Sequence, residues 1–497
     1  MQSRKYILAI DQGTSSTKSL IFDDTGQAVA KGSEPLETIY SANGFVEQDP
    51  EEIYQNVLSS VKKCVLEFTG KGFDKKDIVA IGISNQRETF IVWDKEGKPL
   101  HNAIVWQCKR SVQICEQLKQ KNLSETIRQK TGLIIDPYFS ATKLIWLFEN
   151  NGAVREHIKQ GNAYFGTVDT WLLYRFTNGA DYATDYTNAS RTMFFNLKSL
   201  RWDEELIGTY GLTGINLPEI KSSSASFGET FLEGAFKTPV PIAALIGDSH
   251  AAAFGEGCFD AGSGKATLGT GCSILMNIGG KPVHSTNGMV TTICWSTADR
   301  IDYALEGVIV SCGATLEWLK NELHLFRDIR ETEGMATAVV DNGGVYLVPA
   351  FSGLGSPHWQ MDRKASITGM SFATTKNHIV RAGLESIPYQ INDVILAMEK
   401  DAGLSLKELN TDGGITTNNF VMQFIADLLN KKAICIGMPD VSALGAAYLA
   451  GLHAGVYSGL DHLRQLNNEK KIFQPSGVQA LNICYNGWKK AIANSQV

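Results

Sequence analysis

The sequence lacks the features of secreted, membrane-spanning and zinc-binding proteins. Its nine cysteines are an odd, scattered set without one C-x-x-C pair, which argues against a disulfide framework or a zinc site and favours a reducing compartment. No apolar run approaches the roughly 18 residues that a membrane span needs. The apolar run at residues 6–10 is too short for the core of a signal peptide. We therefore predict a cytoplasmic protein with no membrane partner.

Positive charge is also scarce. The 46 lysines and arginines are outnumbered by 52 aspartates and glutamates, which gives a net charge of −6 at pH 7. Nucleic acids and anionic membranes bind to a basic face, so we expect neither as a partner. The balance leaves room for a small anionic ligand that is held at one local site.

Two common nucleotide-binding motifs are missing as well. No G-x-G-x-x-G occurs, so NAD-dependent chemistry lacks its usual phosphate-binding turn. Residues 262–267 resemble part of a P-loop, but Phe259 stands where that pattern needs glycine and Ala266 where it needs serine or threonine.

What the chain does have is an alternation of strand-like and helix-like patterns over 497 residues. This alternation predicts an α/β protein, and the length predicts two to four domains. A strand, a Gly-Thr turn and a second strand occur in each half, at residues 6–22 and 265–277. We interpret this as two halves with related folds, each directing a hairpin of small residues at a shared cleft, with the boundary near residue 252.

The first hairpin, at residues 11–18, has the composition of a phosphate-binding turn. Small side chains let backbone N–H groups and hydroxyls approach phosphate oxygens closely. Asp11 at the strand end can hold Mg²⁺ through water, because Mg²⁺ dehydrates reluctantly, and Lys18 adds positive charge. Taken alone, the segment also fits an ordinary solvent-facing hairpin.

Asp248 follows an apolar strand and Gly247, and it opens an alanine-rich helix. We expect it at the helix N-cap, where the helix dipole favours an ionised carboxylate. Such a carboxylate can accept the proton of a hydroxyl group, although capping alone would also explain it. A third signal, the glycine pair Gly413 and Gly414 before a helix, can expose backbone amides to an anion.

Taken together, these signals resemble the FGGY carbohydrate kinases of the actin/hexokinase/Hsp70 ATPase superfamily, most closely the glycerol kinases. The resemblance covers nearly the whole chain. The segments that carry it are residues 11–18, 44–50, 85–89, 102–107, 131–140, 166–172, 185–193, 269–272, 303–307, 349–357 and 412–414.

The resemblance implies an α/β, two-domain actin/hexokinase/Hsp70-like ATPase fold, related to ribonuclease H, with an interdomain cleft. Residues 1–252 would hold the polyol site and the first phosphate hairpin, and residues 253–497 the second hairpin and the adenosine site. The implied activity is phosphorylation of a terminal hydroxyl of a small polyol, glycerol kinase-like, with ATP and Mg²⁺. A homodimer or homotetramer is expected on the same ground.

The resemblance also assigns roles to individual residues. Asp11 would organise the metal, and Asp248 would take the proton of the attacking hydroxyl. The residues around the nucleotide would be Thr14, Ser15, Ser16, Lys18, Thr270, Gly313, Glu317, Gly414 and Asn418. The residues around the substrate would be Arg87, Glu88, Trp106, Tyr138, Asp248, Ser249 and Ser273.

Two substrate positions depart from the usual glycerol kinase pattern, because Ser249 replaces glutamine and Ser273 replaces phenylalanine. One hypothesis is a roomier, wetter pocket for a four- or five-carbon polyol or ketose, such as erythritol, threitol, xylitol, ribitol or xylulose. The other is a divergent glycerol kinase whose pocket is refilled by side chains such as His250.

A non-enzymatic alternative is a nucleotide switch of the actin/Hsp70 type. The Arg87–Glu88 pair beside Asp248 argues against it, because a switch needs no pocket for hydroxyl groups.

Overall fold

The computed structural model describes residues 4–466, 470–477 and 481–494. In the first half the strands are β1 (Tyr6–Gln12), β2 (Ser16–Phe22), β3 (Ala28–Pro35), β4 (Ile39–Tyr40), β5 (Val46–Gln48), β6 (Ile78–Asn85), β7 (Phe90–Trp93), β8 (Ala103–Ile104), β9 (Tyr164–Thr167), β10 (Ala183–Asp185), β11 (Phe195–Asn196), β12 (Arg201–Trp202), β13 (Glu219–Lys221), β14 (Glu229–Thr230) and β15 (Val240–Gly247). The helices of this half are α1 (Pro50–Gly70), α2 (Val112–Gln120), α3 (Ser124–Thr131), α4 (Ser140–Asn150), α5 (Gly152–Lys159), α6 (Val168–Phe176), α7 (Tyr186–Ala189), α8 (Glu204–Thr209) and α9 (Asp248–Gly255).

The second half continues the alternation of strands and helices. Its strands are β16 (Ser263–Leu268), β17 (Cys272–Gly279), β18 (Val290–Ser296), β19 (Ile301–Ile309), β20 (Tyr346–Val348), β21 (Ser366–Thr368), β22 (Glu408–Asp412), β23 (Lys432–Ile436) and β24 (Lys470–Phe473). Its helices are α10 (Gly313–Asn321), α11 (Glu331–Thr337), α12 (Lys376–Ala402), α13 (Asn419–Leu429), α14 (Val441–His453), α15 (Leu460–Gln465) and α16 (Leu481–Asn494).

Each half is built on a mixed sheet, and the two sheets repeat one topology. The first has the order β14-β15-β6-β1-β2-β3, and the second β18-β19-β17-β16-β22-β23-β24. In both, the opening strand pairs antiparallel with the next strand, as β1 with β2 and β16 with β17. It also pairs parallel with a later strand, as β1 with β6 and β16 with β22. The predicted repeat of related halves is therefore confirmed.

The central strands are those that the apolar runs predict, since β1 and β6 are buried along almost their whole length. A five-stranded sheet of order β4-β5-β8-β7-β9 adjoins the first sheet. The connection that leads to it from β6, residues 86–89, is buried as well. This burial fixes Arg87 and Glu88 at the junction of the two sheets.

The two halves share helices. Helix α14 belongs to the second half of the chain but packs on β6, β1 and β15 of the first sheet and along α9. Gly82 and Gly445 permit this approach, because a Cβ atom on either glycine would lie about 2 Å from a backbone oxygen, of Ala446 and Ala251 respectively. The boundary near residue 252 remains a prediction, and α14 shows that the core of the first half includes a later segment. In the described part of the chain, no helix has both the length and the apolar character to cross a membrane.

Candidate active site

A cavity of about 250 Å³ lies between the two sheets, where the carboxyl ends of their central strands meet. The first half lines it with Asp11, Lys18, Asp248 and Ser249, and the second half lines it with Lys265, Thr267, Asp412 and Asp440. The structure therefore brings the predicted metal residue and the predicted proton acceptor into one cleft.

The internal repeat extends to single side chains in this cleft. Asp11 on β1 lies opposite Ser84 on β6, and Thr267 on β16 lies opposite Asp412 on β22. Ser84 Oγ donates a hydrogen bond of 3.0 Å to Asp11 Oδ1. At these equivalent strand pairs each half has one carboxylate and one hydroxyl group, but the strand that carries the carboxylate in one half carries the hydroxyl group in the other.

Asp248 is the first residue of α9, and the N-cap residue is Gly247, which corrects the expectation that Asp248 occupies the cap. Its Oδ1 accepts a hydrogen bond of 2.6 Å from the backbone N–H of Ser249 and lies 3.3 Å from Arg87 Nε. The side chain is 38% exposed, so a ligand in the cleft can reach it. The start of a helix favours the ionised carboxylate, and a proton acceptor has to be ionised.

Asp11 interacts electrostatically with Asp248 in the same cavity. Burial and then the charge of Asp248 raise the pKa of Asp11 to about 6, against the hydrogen bond from Ser84 and the charge of Lys18, which lower it. Two carboxylates that disfavour each other's charge gain stability from a cation between them. Within the described residues, no group of three or more histidine, cysteine, aspartate or glutamate side chains could hold a metal ion. A site with so few protein ligands fits Mg²⁺, which keeps several waters and binds one or two carboxylates plus phosphate oxygens.

A second cavity, of about 730 Å³, lies on the second half of the molecule. Five residues that the resemblance assigns to the nucleotide line it together, namely Thr270, Gly313, Glu317, Gly414 and Asn418. Leu268, Leu316, Ile329 and Ile415 give it apolar walls, which suit a flat aromatic base.

Backbone hydrogen bonds position the second hairpin at the edge of this second cavity, the predicted nucleotide site. The N–H of Gly313 donates a hydrogen bond of 2.9 Å to the carbonyl of Gly269, and the N–H of Ala314 donates one of 3.1 Å to the carbonyl of Thr270. The first turn of α10 therefore holds the β16–β17 hairpin in place.

In the first hairpin, Thr14 and Lys18 each have a protein partner, and their role at the phosphates stays a prediction. Thr14 Oγ1 accepts a hydrogen bond of 3.0 Å from Trp106 Nε1, so this hydroxyl braces the aromatic wall of the substrate site. Lys18 Nζ donates a hydrogen bond of 3.0 Å to Asp440 Oδ1 at the start of α14. The side chains of Ser15 and Ser16 form no hydrogen bond within the described residues, and their role at the phosphates stays a prediction.

Four buried charges form the floor of the predicted substrate site. Arg87 donates to both carboxylate oxygens of Glu306, at 2.8 and 3.2 Å. Arg191 Nε donates a hydrogen bond of 2.5 Å to Glu88 Oε1, and Arg191 Nη1 lies 2.5 Å from Glu306 Oε2. Burial raises the pKa of Glu88, although the charges of Arg191 and Arg87 lower it. Glu88 also adopts φ 61°, an unfavourable backbone conformation of the kind found at functional sites.

An aromatic wall stands beside this charge cluster. The rings of Trp106 and Tyr138 meet edge to face, 5.4 Å apart, and Arg191 lies 5.7 Å from the Tyr138 ring centre. Lys143 positions this wall, because its buried Nζ donates to the carbonyls of Pro137, Tyr138 and Phe139 at 2.6, 2.7 and 3.0 Å.

The two serines that depart from the usual pattern occupy different places. Ser249 lines the cleft cavity, and Ser273 Oγ lies 3.3 Å from Glu306 Oε1, so it extends the polar floor. His250 is fully buried, and both of its ring nitrogens are without a hydrogen-bond partner among the described residues. Burial and then the charge of Arg87 hold the pKa of His250 well below its usual range, so its ring is neutral.

Sequence reasoning gave no role to Arg191, Glu306, Lys143 or Lys265. Arg191 and Glu306 do lie in two of the recognisable segments, residues 185–193 and 303–307, which was the available signal. Lys143 carried no local signal, because a lysine in a helical pattern is usually solvent-exposed. Lys265 lies in the segment that resembles part of a P-loop, and the failure of that pattern left it without a role.

A hairpin on each side of a cleft, a nucleotide-sized cavity on one half and a carboxylate at a helix start define a two-lobed phosphotransferase. The comparisons with known proteins identify the family. The N-terminal domain model of the FGGY family of carbohydrate kinases matches residues 6–255, and the C-terminal domain model matches residues 264–454. The chain belongs to this family and is a kinase.

The most similar relatives share the whole length of the chain. Glycerol kinase 2 of Thermotoga maritima is 46% identical over 493 residues, with 99% of each chain covered. Glycerol kinase of Klebsiella pneumoniae is 44% identical, with 99% of this chain and 98% of that protein covered. Among solved structures, Plasmodium falciparum glycerol kinase with ADP superposes with a TM-score of 0.92 at 37% identity, over 99% of both chains. A xylulose kinase from Lactobacillus acidophilus, at 23% identity and a TM-score of 0.87, shares the fold.

Proposed function

We propose that this protein transfers the γ-phosphoryl group of ATP to a terminal hydroxyl of glycerol, which yields glycerol 3-phosphate and ADP. The observation that carries the proposal is the position of Asp248. Its carboxylate lies beside the buried guanidinium of Arg87 and lines the same cavity as Asp11. Relatives at 44–46% identity over the full length are glycerol kinases, which supports the same assignment.

The polyol is held by the residues of the charge cluster and the aromatic wall. Arg87 donates hydrogen bonds to one hydroxyl group, and Glu88 accepts one from its neighbour. Trp106 and Tyr138 cover the carbon chain. Because the Arg87–Glu306 and Arg191–Glu88 pairs are already formed, these groups are oriented before the substrate binds.

Asp248 then accepts the proton of the attacking hydroxyl as its oxygen bonds to the γ-phosphorus and the bond to ADP breaks. Asp11 is the residue that would hold Mg²⁺, which neutralises charge on the phosphate oxygens when it is bound. Phosphoryl transfer depends on positioning and charge neutralisation more than on covalent chemistry. The residues of this cleft provide both.

The second candidate function is phosphorylation of a larger polyol or ketose with four or five carbons. The observation that favours it is Ser273, whose hydroxyl lies next to Glu306 and gives the site a polar wall. A longer chain with an additional hydroxyl group could hydrogen-bond to that wall.

The test measures ADP formation by the purified protein with ATP and Mg²⁺ against a panel of glycerol, erythritol, threitol, xylitol, ribitol and xylulose. The proposal expects the highest kcat/KM for glycerol. A higher value for a four- or five-carbon substrate would establish the second function, and no activity on any of them would refute both.

We further propose, on the family relationship alone, that the protein is cytoplasmic and forms a homodimer or homotetramer. Light scattering of the purified protein tests the oligomeric state, and a monomeric mass would contradict it.

A further inference from the structure

Lys265 lies in the interior of β16 and takes part in the cleft. Side chains two residues apart on a strand point to the same face, which places Lys265 and Thr267 on one face of β16. Both line the cavity that also contains Asp11 and Asp248. A long, flexible cation is therefore directed at the place where the reaction occurs.

Lys265 has no partner among the described residues. Its side chain is almost fully buried, and it forms no hydrogen bond or ion pair with them. Its ammonium nitrogen is nevertheless not among the fully buried polar atoms that lack a partner, so it faces the cavity that Lys265 lines. An anion that enters this cavity would find an unpaired donor there.

Glu256, a buried carboxyl group that interacts electrostatically with Lys265, forms no ion pair with it. Glu256 on the adjoining segment after α9 has both carboxylate oxygens buried without a partner among the described residues. Burial and then the charge of Asp412 raise the pKa of Glu256 well above its usual range, although Lys265 lowers it. Glu256 therefore keeps its proton and adds no negative charge beside Lys265.

The other lysine of the cavity is already paired. Lys18 Nζ lies 3.0 Å from Asp440 Oδ1, while Lys31 contacts the second oxygen of the same carboxylate. Lys18 is thus held at the edge of the cleft. Of the two lysines that line the cavity, Lys265 is the one without a direct ion pair among the described residues.

The position of β16 indicates which anion Lys265 meets. The strand leads directly into the hairpin of residues 269–271, and Thr270 of that hairpin lines the nucleotide cavity. Lys265 itself lines the cavity of Asp248. Lys265 therefore shares a cavity with Asp248 and a strand with the turn that lines the other cavity, and a phosphoryl group transferred between the two sites would have to cross this region.

We propose that Lys265 binds the non-bridging oxygens of the γ-phosphate of ATP and stabilises their charge during transfer. The proposal rests on the proposed function, because it requires ATP as the phosphoryl donor. The proposal predicts that Lys265 contributes to the binding of ATP but not of ADP, because ADP lacks the γ-phosphate that Lys265 would contact. A purely structural role would affect the binding of both nucleotides alike.

Isothermal titration of the full chain with Mg²⁺ and either ADP or the non-hydrolysable analogue AMP-PNP tests this distinction. Lys265→Met is expected to weaken AMP-PNP binding at least tenfold and ADP binding less than about twofold, and to lower kcat about 100-fold. Lys265→Arg, which keeps the positive charge, should bind AMP-PNP within about threefold of the unchanged protein.

Equal losses for ADP and AMP-PNP, or no loss for either, would overturn the proposal. If Lys265→Met does not fold, Lys265→Gln keeps a polar end group in the cavity and carries the same prediction. Failure of the unchanged protein to bind AMP-PNP would instead refute the proposed function, so the two failures are distinguishable.

Discussion

Arg87 and Glu306 form a two-point ion pair between the halves of the molecule, with donor–acceptor distances of 2.8 and 3.2 Å. Arg87 lies in the connection between β6 and β7, and Glu306 lies on β19. Burial alone would raise the pKa of Glu306, but Arg191 and then Arg87 outweigh it and hold the pKa well below its usual range. The floor of the substrate site is therefore assembled from both halves.

Glu306→Gln tests this relationship. The variant leaves Arg87 and Arg191 buried without a full negative partner, so we expect the free energy of unfolding to fall by about 3–5 kcal/mol and the KM for the polyol to rise. Chemical denaturation and steady-state kinetics measure these effects. Because the pKa of Glu306 is lowered, its stabilisation is present above the ordinary carboxyl pKa and is lost as the pH falls towards the native-state pKa.

Glu322→Gln is the matched control for this variant, since Glu322 is exposed at the end of α10. It should leave stability within about 0.5 kcal/mol. A Glu306→Gln protein as stable as this control would show that the buried pair contributes no net stability.

Asp11→Asn should stabilise the protein in the absence of Mg²⁺ while it removes metal-dependent activity. The pKa of Asp11 is raised to about 6 in the folded protein, so the charged form is disfavoured there. This cost grows as the pH rises from about 4 to 6 and is nearly complete above 7, which predicts a gain of about 1–3 kcal/mol at pH 7.5 and only about a third of that gain at pH 4.5.

Thermal unfolding of both proteins at these two pH values, with a chelator present, measures the gain. An Asp11→Asn protein that is less stable at pH 7.5 than the unchanged protein would contradict the argument that burial and Asp248 disfavour the charge on Asp11.

The lowered pKa of Lys143 predicts a pH effect on substrate binding. Burial lowers the pKa of Lys143 to about 8, although the charge of Glu88 raises it. A neutral amine has only two hydrogens for the three carbonyls that Lys143 now contacts, so the loop around Tyr138 should loosen above pH 8. We expect the polyol KM to rise about threefold between pH 7 and 9 while the ATP KM stays constant.

Lys143→Met should raise the polyol KM at every pH and flatten this profile. Lys159→Met, which changes an exposed lysine of α5, should retain the profile of the unchanged protein. An unchanged pH profile in Lys143→Met would assign the effect to another group.

Ser273→Phe tests which substrates the pocket admits. Phenylalanine fills the space beside Glu306 and removes the polar wall, so we expect the ratio of kcat/KM for glycerol over erythritol to rise about tenfold, within the range for added hydrophobic bulk. Ser273→Ala removes the hydroxyl without filling the space and separates the two effects. A ratio that both variants leave unchanged would show that Ser273 does not select the substrate.

The sequence could predict the duplicated sheets because apolar strands and small-residue turns are local patterns. Strands β1, β2, β15, β16 and β17 all lie within a few residues of the expected positions. The path of α14 could not be predicted in this way. Its alanine-rich pattern reports burial but not which sheet it packs on, and that choice depends on Gly82, far away in the chain.

The candidate active site likewise contains residues that the sequence identified and residues whose roles depend on partners far away in the chain. The family resemblance assigned Thr270, Gly313, Glu317, Gly414 and Asn418 to the nucleotide, and the structure brings these five residues together in one cavity. The roles of Arg191 and Glu306 depend on partners 103 and 219 residues away. The contact of Lys18 with Asp440 could not be predicted either, because it arises only when α14 crosses to the first sheet.

The most direct test of the central claim compares Asp248→Asn with the unchanged protein in ADP formation from ATP, Mg²⁺ and glycerol. Removal of a general base predicts a fall in kcat of at least about 100-fold, with ADP affinity within about twofold by titration. Asp461→Asn, at a highly exposed position of α15, should retain full activity. A variant at Asp248 that keeps more than about a tenth of the original kcat would contradict the role of this carboxylate as the proton acceptor.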